Sequence, residues 1–222
     1  MLAGVVGAMI GGCAAPPSRD PFTSSGEVIA MGGGDAGATR ACFTCHGLQG
    51  EGDGETAPRL AGLPAGYLQK QLEDYAAGLR PHALMRSVAG ALDADDRGRV
   101  AAYYAGLPAA FTASTSPPPG GVAAALYHNG DPARGLPACA SCHGDRGEGV
   151  GPANPPLVGQ PAGYLREQMA QWRRSERRND PRGVMLAISR RLTPGEVEAL
   201  ARYAAAPGPP AAPPAALPAA SP

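Results

Sequence analysis

The chain has 222 residues, with 19 Lys and Arg against 19 Asp and Glu, so its formal charge is zero. That balance excludes a strongly basic nucleic-acid binder and an acidic disordered chain. The length fits one large domain or two small ones; Gly (32) and Pro (25) are abundant, aromatics make up only 5%, and Lys70 is the sole lysine.

The first segment, residues 1–13, is apolar and too short for a membrane span, which takes about 20 residues. It fits a signal peptide that lacks its basic start, as expected if the sequence begins inside the signal. Ile10-Gly11-Gly12-Cys13 resembles a lipobox, which makes Cys13 a candidate lipidated N-terminus. The alternative is an ordinary apolar signal core that contains a cysteine. Residues 14–26 read as a linker.

Residues 27–112 read as a first domain, with a helix expected to run up to or into Cys42-Phe43-Thr44-Cys45-His46. Cys-x-x-Cys-His is the attachment signature of c-type haem. Two thiols about one helical turn apart can form thioethers with the two vinyl groups, and the adjacent imidazole can then ligate the iron. The rival readings are a thioredoxin-like pair, a zinc site and a structural disulfide. A thioredoxin motif expects a preceding strand and no duplication. A second helix is expected from Pro64, since proline is tolerated in a first turn; its apolar positions are Leu68, Leu72, Tyr75 and Leu79. Met85 is placed in a non-helical stretch before a last helix that starts at Asp93. Residues 113–120, with three consecutive prolines, form a linker that cannot continue a helix.

Residues 121–206 repeat this plan. Cys139-Ala140-Ser141-Cys142-His143 lies 97 positions after the first motif. Ribbon-type zinc sites space their cysteine pairs by roughly 15–20 residues, and the 93 residues between these pairs are far more. The same offset matches Gly50-Glu51-Gly52 with Gly147-Glu148-Gly149, Pro58 with Pro155, Tyr67-Leu68 with Tyr164-Leu165, Gln71 with Gln168 and Arg80 with Arg177. After a three-residue insertion, Leu92 pairs with Leu192 and Tyr103 with Tyr203. Thr193-Pro194-Gly195-Glu196 is a capping box with proline at the first helical position. Nothing alternates with period two. The expected fold is all-α: two tandem domains of three main helices, each wrapped around a haem that supplies the large apolar surface its few aromatics do not. Residues 207–222 form a Pro/Ala tail expected to be disordered.

The second axial ligand decides the chemistry, because a Met/His pair closes the iron and suits it to electron transfer. Met185 aligns with Met85 once the insertion is allowed, and both are the candidate ligands opposite His143 and His46. His82, three residues before Met85, is a competitor without a histidine counterpart in the second copy. Met169 aligns with the core position Leu72 and reads as core filling; His128 reads as a surface residue. Backbone carbonyls at Pro58 and Pro155 are candidates to accept the hydrogen of the proximal imidazole. Arg80 and Arg177 are candidates to bind haem propionates, against the alternative of solvated surface arginines. Tyr75 and Trp172 align and read as packing residues beside the ring.

These residues resemble the dihaem cytochrome c-four family, two fused class I cytochrome c domains. The resemblance is carried by Gly135-Leu136-Pro137-Ala138-Cys139 through His143-Gly144, Pro155, Leu157, Gly159-Gln160, Tyr164, Gln168, Arg177-Arg178-Asn179-Asp180 and Met185. In the first copy Cys42 through Gly47, Pro58 through Gly62, Tyr67-Leu68, Lys70-Gln71 and Met85 carry it. It implies two His/Met haems, domains related by an approximate two-fold axis, and propionates near the interdomain interface. It also implies a periplasmic shuttle of single electrons, from a quinol-oxidising cytochrome bc complex toward a terminal oxidase. A dedicated cytochrome subunit of a periplasmic dehydrogenase is the alternative. A dihaem peroxidase would need an open iron, and the paired methionines argue against it. A monomer, lipid-anchored and without nucleic-acid partners, is expected. The zero charge divides unevenly: residues 27–112 carry seven basic and ten acidic side chains, net −3, and residues 121–206 eleven and eight, net +3. The two lobes are therefore expected to orient different partners.

Overall fold

The computed structural model describes residues 25–109 and 121–206, so Cys13, the Pro-rich linker and the tail lie outside the described residues. The first copy holds α1 (Gly26–Gly32), α2 (Phe43–His46), α3 (Ala65–Ala76), α4 (Ala83–Ala91) and α5 (Ala94–Gly106). The second holds α6 (Val122–Asn129), α7 (Ala140–His143), α8 (Ala162–Arg173), α9 (Val184–Arg191) and α10 (Pro194–Ala205). Among the described residues there are only two isolated β-bridges and no strand, in line with the all-α expectation. No helix among them is long and apolar enough to cross a membrane.

The two copies pack alike. In the first, α1 lies against α5, and α3 against α4 and α5; in the second, α6 lies against α10, and α8 against α9 and α10. Ile29, Leu68, Val88, Leu92, Val100 and Tyr104 centre one core; Leu126, Tyr127, Leu136, Leu192, Val197 and Leu200 centre the other. Leu72 and Met169, a matched pair, both pack on these cores as half-buried side chains, as the repeat implies.

Three sequence expectations need correction. Each copy has more than three helices: α4 and α9 were expected to be irregular, and they carry Met85 and Met185 in their first turns. Their starts lack the usual signals, for α4 is capped by His82 and α9 follows Gly183 without a side-chain cap at that position. The first helix stops well before the Cys-x-x-Cys-His motif, because Gly33, at φ 82°, ends it in the left-handed region. Leu79 is exposed and lies beyond the end of α3, so it is no core position. The starts of the last helices are as read: Asp93 caps α5 and Thr193 caps α10 with a full capping box.

Arg134 ties the turn ahead of the second motif to the start of α10 by a two-pronged bond to Glu196, 3.1 and 2.8 Å. Arg134, and then the Thr193 amide, hold the Glu196 carboxyl down to about 2. A depressed carboxyl stabilises the fold fully above its unfolded pKa, about 4.3, and loses that contribution as pH falls through the folded value. Glu196→Gln should therefore flatten the stability curve between about pH 4.3 and 2 in thermal melts of the holoprotein. Parallel acid limbs for the two proteins would show that the pair is not linked to folding.

Candidate haem sites and the seam between them

Each Cys-x-x-Cys-His motif folds as a single helical turn. The Cys42 carbonyl accepts from the amides of Cys45 (3.3 Å) and His46 (3.0 Å); the Cys139 carbonyl accepts from Cys142 (3.2 Å) and His143 (2.9 Å). One thiol of each pair, Cys42 or Cys139, is half-buried, and the other, Cys45 or Cys142, is exposed. Burial pushes the Cys42 and Cys139 thiols up to about 11. The two pairs do not converge on a shared centre: among the described residues no group of three or more His, Cys, Asp or Glu is arranged to hold a metal ion.

The repeated Gly-Glu-Gly explains how the chain returns to the histidine. The Gly50 carbonyl accepts the amides of Leu60 (2.8 Å) and Ala61 (3.0 Å), and the Gly147 carbonyl those of Leu157 (2.7 Å) and Val158 (3.1 Å). Gly52 and Gly149, at φ 84° and 82°, turn their amides onto the carbonyls of His46 (2.8 Å) and His143 (2.7 Å). Between them Glu51 accepts the Gln49 amide at 2.9 Å, and Glu148 the Arg146 amide at 2.8 Å. The loops thus closed present the prolines to the imidazoles: His46 Nδ1 lies 2.8 Å from the Pro58 carbonyl, and His143 Nδ1 lies 3.0 Å from that of Pro155. A carbonyl only accepts, so Nδ1 carries the hydrogen and Nε2 keeps its lone pair. Burial lowers the pKa of both imidazoles, against the opposing pull of these bonds, and holds them neutral.

Arg80 and Arg177 are not solvated; they are 3% and 5% exposed, and they meet across the seam between the copies. The Gln71 carbonyl oxygen accepts from Arg80 (2.9 Å), Arg177 (3.2 Å) and Asn179 (2.9 Å). The Gln168 oxygen accepts from Arg80 and Arg177, each at 2.8 Å. Arg80 also donates to the Tyr164 hydroxyl at 2.7 Å. Each guanidinium lies over the ring of its own copy: Arg80 is 4.6 Å from the centroid of Tyr75, and Arg177 is 3.9 Å from that of Trp172. Gln160 adds a second stitch, pairing with the Arg59 backbone at 3.0 Å in both directions. Gln71, Gln168, Tyr164, Asn179 and Gln160 carry the seam, yet sequence reasoning assigned them no role. The signal was there in Gln71 and Gln168, polar residues that recur in register and are both buried.

The seam also tests whether a haem fits. Two buried cations lie side by side with no carboxylate bonded to either among the described residues; burial, then the charge of Arg80, push Arg177 down, while Arg80 itself is pushed up against its burial by Tyr164, Tyr75 and Tyr67. Arg80 Nε and the Trp172 indole N–H are buried donors without a partner among the described residues. Donors and uncompensated positive charge of this kind suit carboxylates brought by a bound group, as haem propionates are.

The cytochrome c family model matches residues 33–107 and 124–205. The chain belongs to the cytochrome c family. A thiosulfate dehydrogenase electron acceptor from Stutzerimonas stutzeri is 40% identical over 189 residues, 84% of this chain and 88% of that protein. The structure of reduced cytochrome c4 from Pseudomonas stutzeri matches with a TM-score of 0.69 and 30% identity, covering 80% of this chain and 98% of that one. A thiosulfate dehydrogenase from Marichromatium purpuratum matches with a TM-score of 0.70 and 41% identity, over 83% of this chain and 40% of that much longer one. The chain is thus a dihaem electron carrier of the cytochrome c4 type, not an enzyme. It carries two covalent haem c groups, at Cys42 and Cys45 and at Cys139 and Cys142.

Replacing Gln71 by Leu removes one acceptor from two buried guanidiniums and the half-buried Asn179 amide. It should cost about 1–3 kcal/mol in denaturant unfolding of the holoprotein. An unchanged midpoint would show that the seam does not hold the copies together.

Proposed function

We propose that this chain is a periplasmic cytochrome that accepts single electrons from a thiosulfate dehydrogenase and passes them on. Both irons are closed, by His46 with Met85 and by His143 with Met185. The observation that carries the closed-iron reading is the matched pair of sites. In each copy a histidine with its Nδ1 tied to a proline carbonyl is accompanied by a methionine in the first turn of a helix. Bound there, haem supplies a one-electron Fe(III)/Fe(II) couple. The residues do the rest. The Pro58 and Pro155 carbonyls fix the imidazole tautomer, Arg80 and Arg177 receive propionates, and Tyr75 and Trp172 carry the guanidiniums on their rings.

The donor is inferred from the likeness to a thiosulfate dehydrogenase electron acceptor and to a thiosulfate dehydrogenase. A second reading, a shuttle from a quinol-oxidising cytochrome bc complex to a terminal oxidase, is supported by the likeness to cytochrome c4. The acidic first lobe and basic second lobe support different docking partners at the two ends. Cys13 is proposed to anchor a monomeric chain to the membrane by a lipid.

In stopped flow, oxidised holoprotein mixed with thiosulfate dehydrogenase and thiosulfate should take up two electrons per chain, at a rate that changes with ionic strength. Reduction no faster than without the enzyme, alongside fast reduction by a bc complex and quinol, would reverse the order of the two readings. Mass spectrometry of membrane-extracted protein should find a diacylglyceryl group on Cys13. A soluble chain that begins elsewhere would refute the anchor.

A further inference from the structure

Each methionine helix is held at its first turn by a side chain that the repeat does not share. In the first copy His82 is the N-cap of α4, and its Nδ1 accepts the Met85 amide at 3.2 Å. In the second copy α9 starts after Gly183, at φ 64°, with no side-chain cap at that position. The Asp180 carboxylate reaches over the turn instead. Its Oδ2 accepts the Met185 amide at 2.5 Å and the Leu186 amide at 3.3 Å, while the Gly183 amide closes the turn on the Asp180 carbonyl at 3.0 Å.

The register makes this substitution informative. Counting back from the aligned methionines, Arg182 stands opposite His82, and a guanidinium accepts no hydrogen bond. The three-residue insertion in the second copy supplies the turn that returns an acceptor to the same amide, from five residues upstream rather than three. Two unlike side chains, an imidazole and a carboxylate, thus arrive at one backbone atom by different routes. The first amides of a helix have no partner inside it, and an uncapped first turn frays. The turn at stake here is the one that carries the thioether.

We propose that His82 and Asp180 are positioning residues that hold the Met85 and Met185 thioethers on the iron, and that His82 is therefore not a rival ligand. The inference rests on the reading of both methionines as axial ligands. The first methionine is held through a neutral acceptor and the second through a carboxylate, so the two haems hold their sixth ligands by independent devices.

The test uses oxidised holoprotein, cyanide as the entering ligand, and the weak near-red methionine-to-iron band as a second readout. His82→Ala should raise the cyanide affinity of one haem about fivefold or more and Asp180→Ala that of the other, the factor a lost cap corresponds to, with weakening of the matching band. His82→Asn and Asp180→Asn keep a side-chain acceptor and should restore both readouts toward wild type. Alanine variants that bind cyanide as wild type does, while Met85→Ala and Met185→Ala each abolish one band, would overturn the inference and leave the ligands standing. If the methionine variants keep both bands, the ligand reading itself falls, and the inference with it. Should an alanine variant fail to fold, hydrogen exchange on the wild-type holoprotein decides: slow exchange at the Met85 and Met185 amides supports the caps, and exchange at the rate of an open chain overturns them.

Discussion

A histidine that is to ligate an iron must give up one nitrogen and have the other held, and much of each copy is arranged around that requirement. Fixing the imidazole takes a carbonyl at the right place, and here the carbonyl belongs to a proline twelve residues on. Bringing it back needs a loop whose own polar groups are satisfied. Each Gly-Glu-Gly does this with the carbonyl of its first glycine, the amide of its second and a carboxylate closing the bend. The bend of the loop is thus closed by backbone hydrogen bonds, and in the first copy its end is pinned by Leu60 and Leu63 on the core. The cores of α1, α3, α4 and α5, and of their counterparts, then support the loop from behind.

The seam adds a second constraint. Two guanidiniums buried without a carboxylate would be costly on their own. They are carried by two glutamine carbonyls, the Asn179 side-chain oxygen, a tyrosine hydroxyl and two aromatic faces. The arrangement is two-fold in its logic, each arginine using its own copy's glutamine and the other's. The copies are therefore joined by a network that is complete only when both are present. Haem carboxylates would supply the missing negative charge, linking cofactor loading to the docking of the two lobes. Arg59 and Gln160 break the symmetry, since the residue 97 positions after Arg59 is Pro156.

Much of this was legible in the sequence. The haem motifs, the duplication, the all-α class and the caps of α5 and α10 follow from residue types and spacing. The proline carbonyls and the two arginines were singled out as candidates, and the structure places them against the imidazoles and in the seam. What was missed has physical reasons. Helices α4 and α9 start on a histidine and on an aspartate five residues before the methionine, neither of which marks the helix start at its usual place. The seam was only partly legible: Gln71 and Gln168 recur in register, but glutamine, asparagine and tyrosine declare no partner until the two copies are docked. Leu79 kept the helical spacing of α3 but falls after its end, where its carbonyl accepts the Arg178 amide at 2.7 Å instead.

These constraints suit the proposed function: two one-electron sites, each to be closed by a methionine, in a chain stitched across its seam, with opposite charge on its lobes. Closure of both irons is the claim on which the electron-carrier chemistry of this particular chain turns. The most direct measurement is the optical spectrum of the purified oxidised and reduced holoprotein, with carbon monoxide added to the latter. The account predicts two low-spin c-type haems per chain, a near-red methionine-to-iron band for each in the oxidised form, and no ready carbon monoxide binding. A high-spin haem that binds carbon monoxide at rest would contradict it.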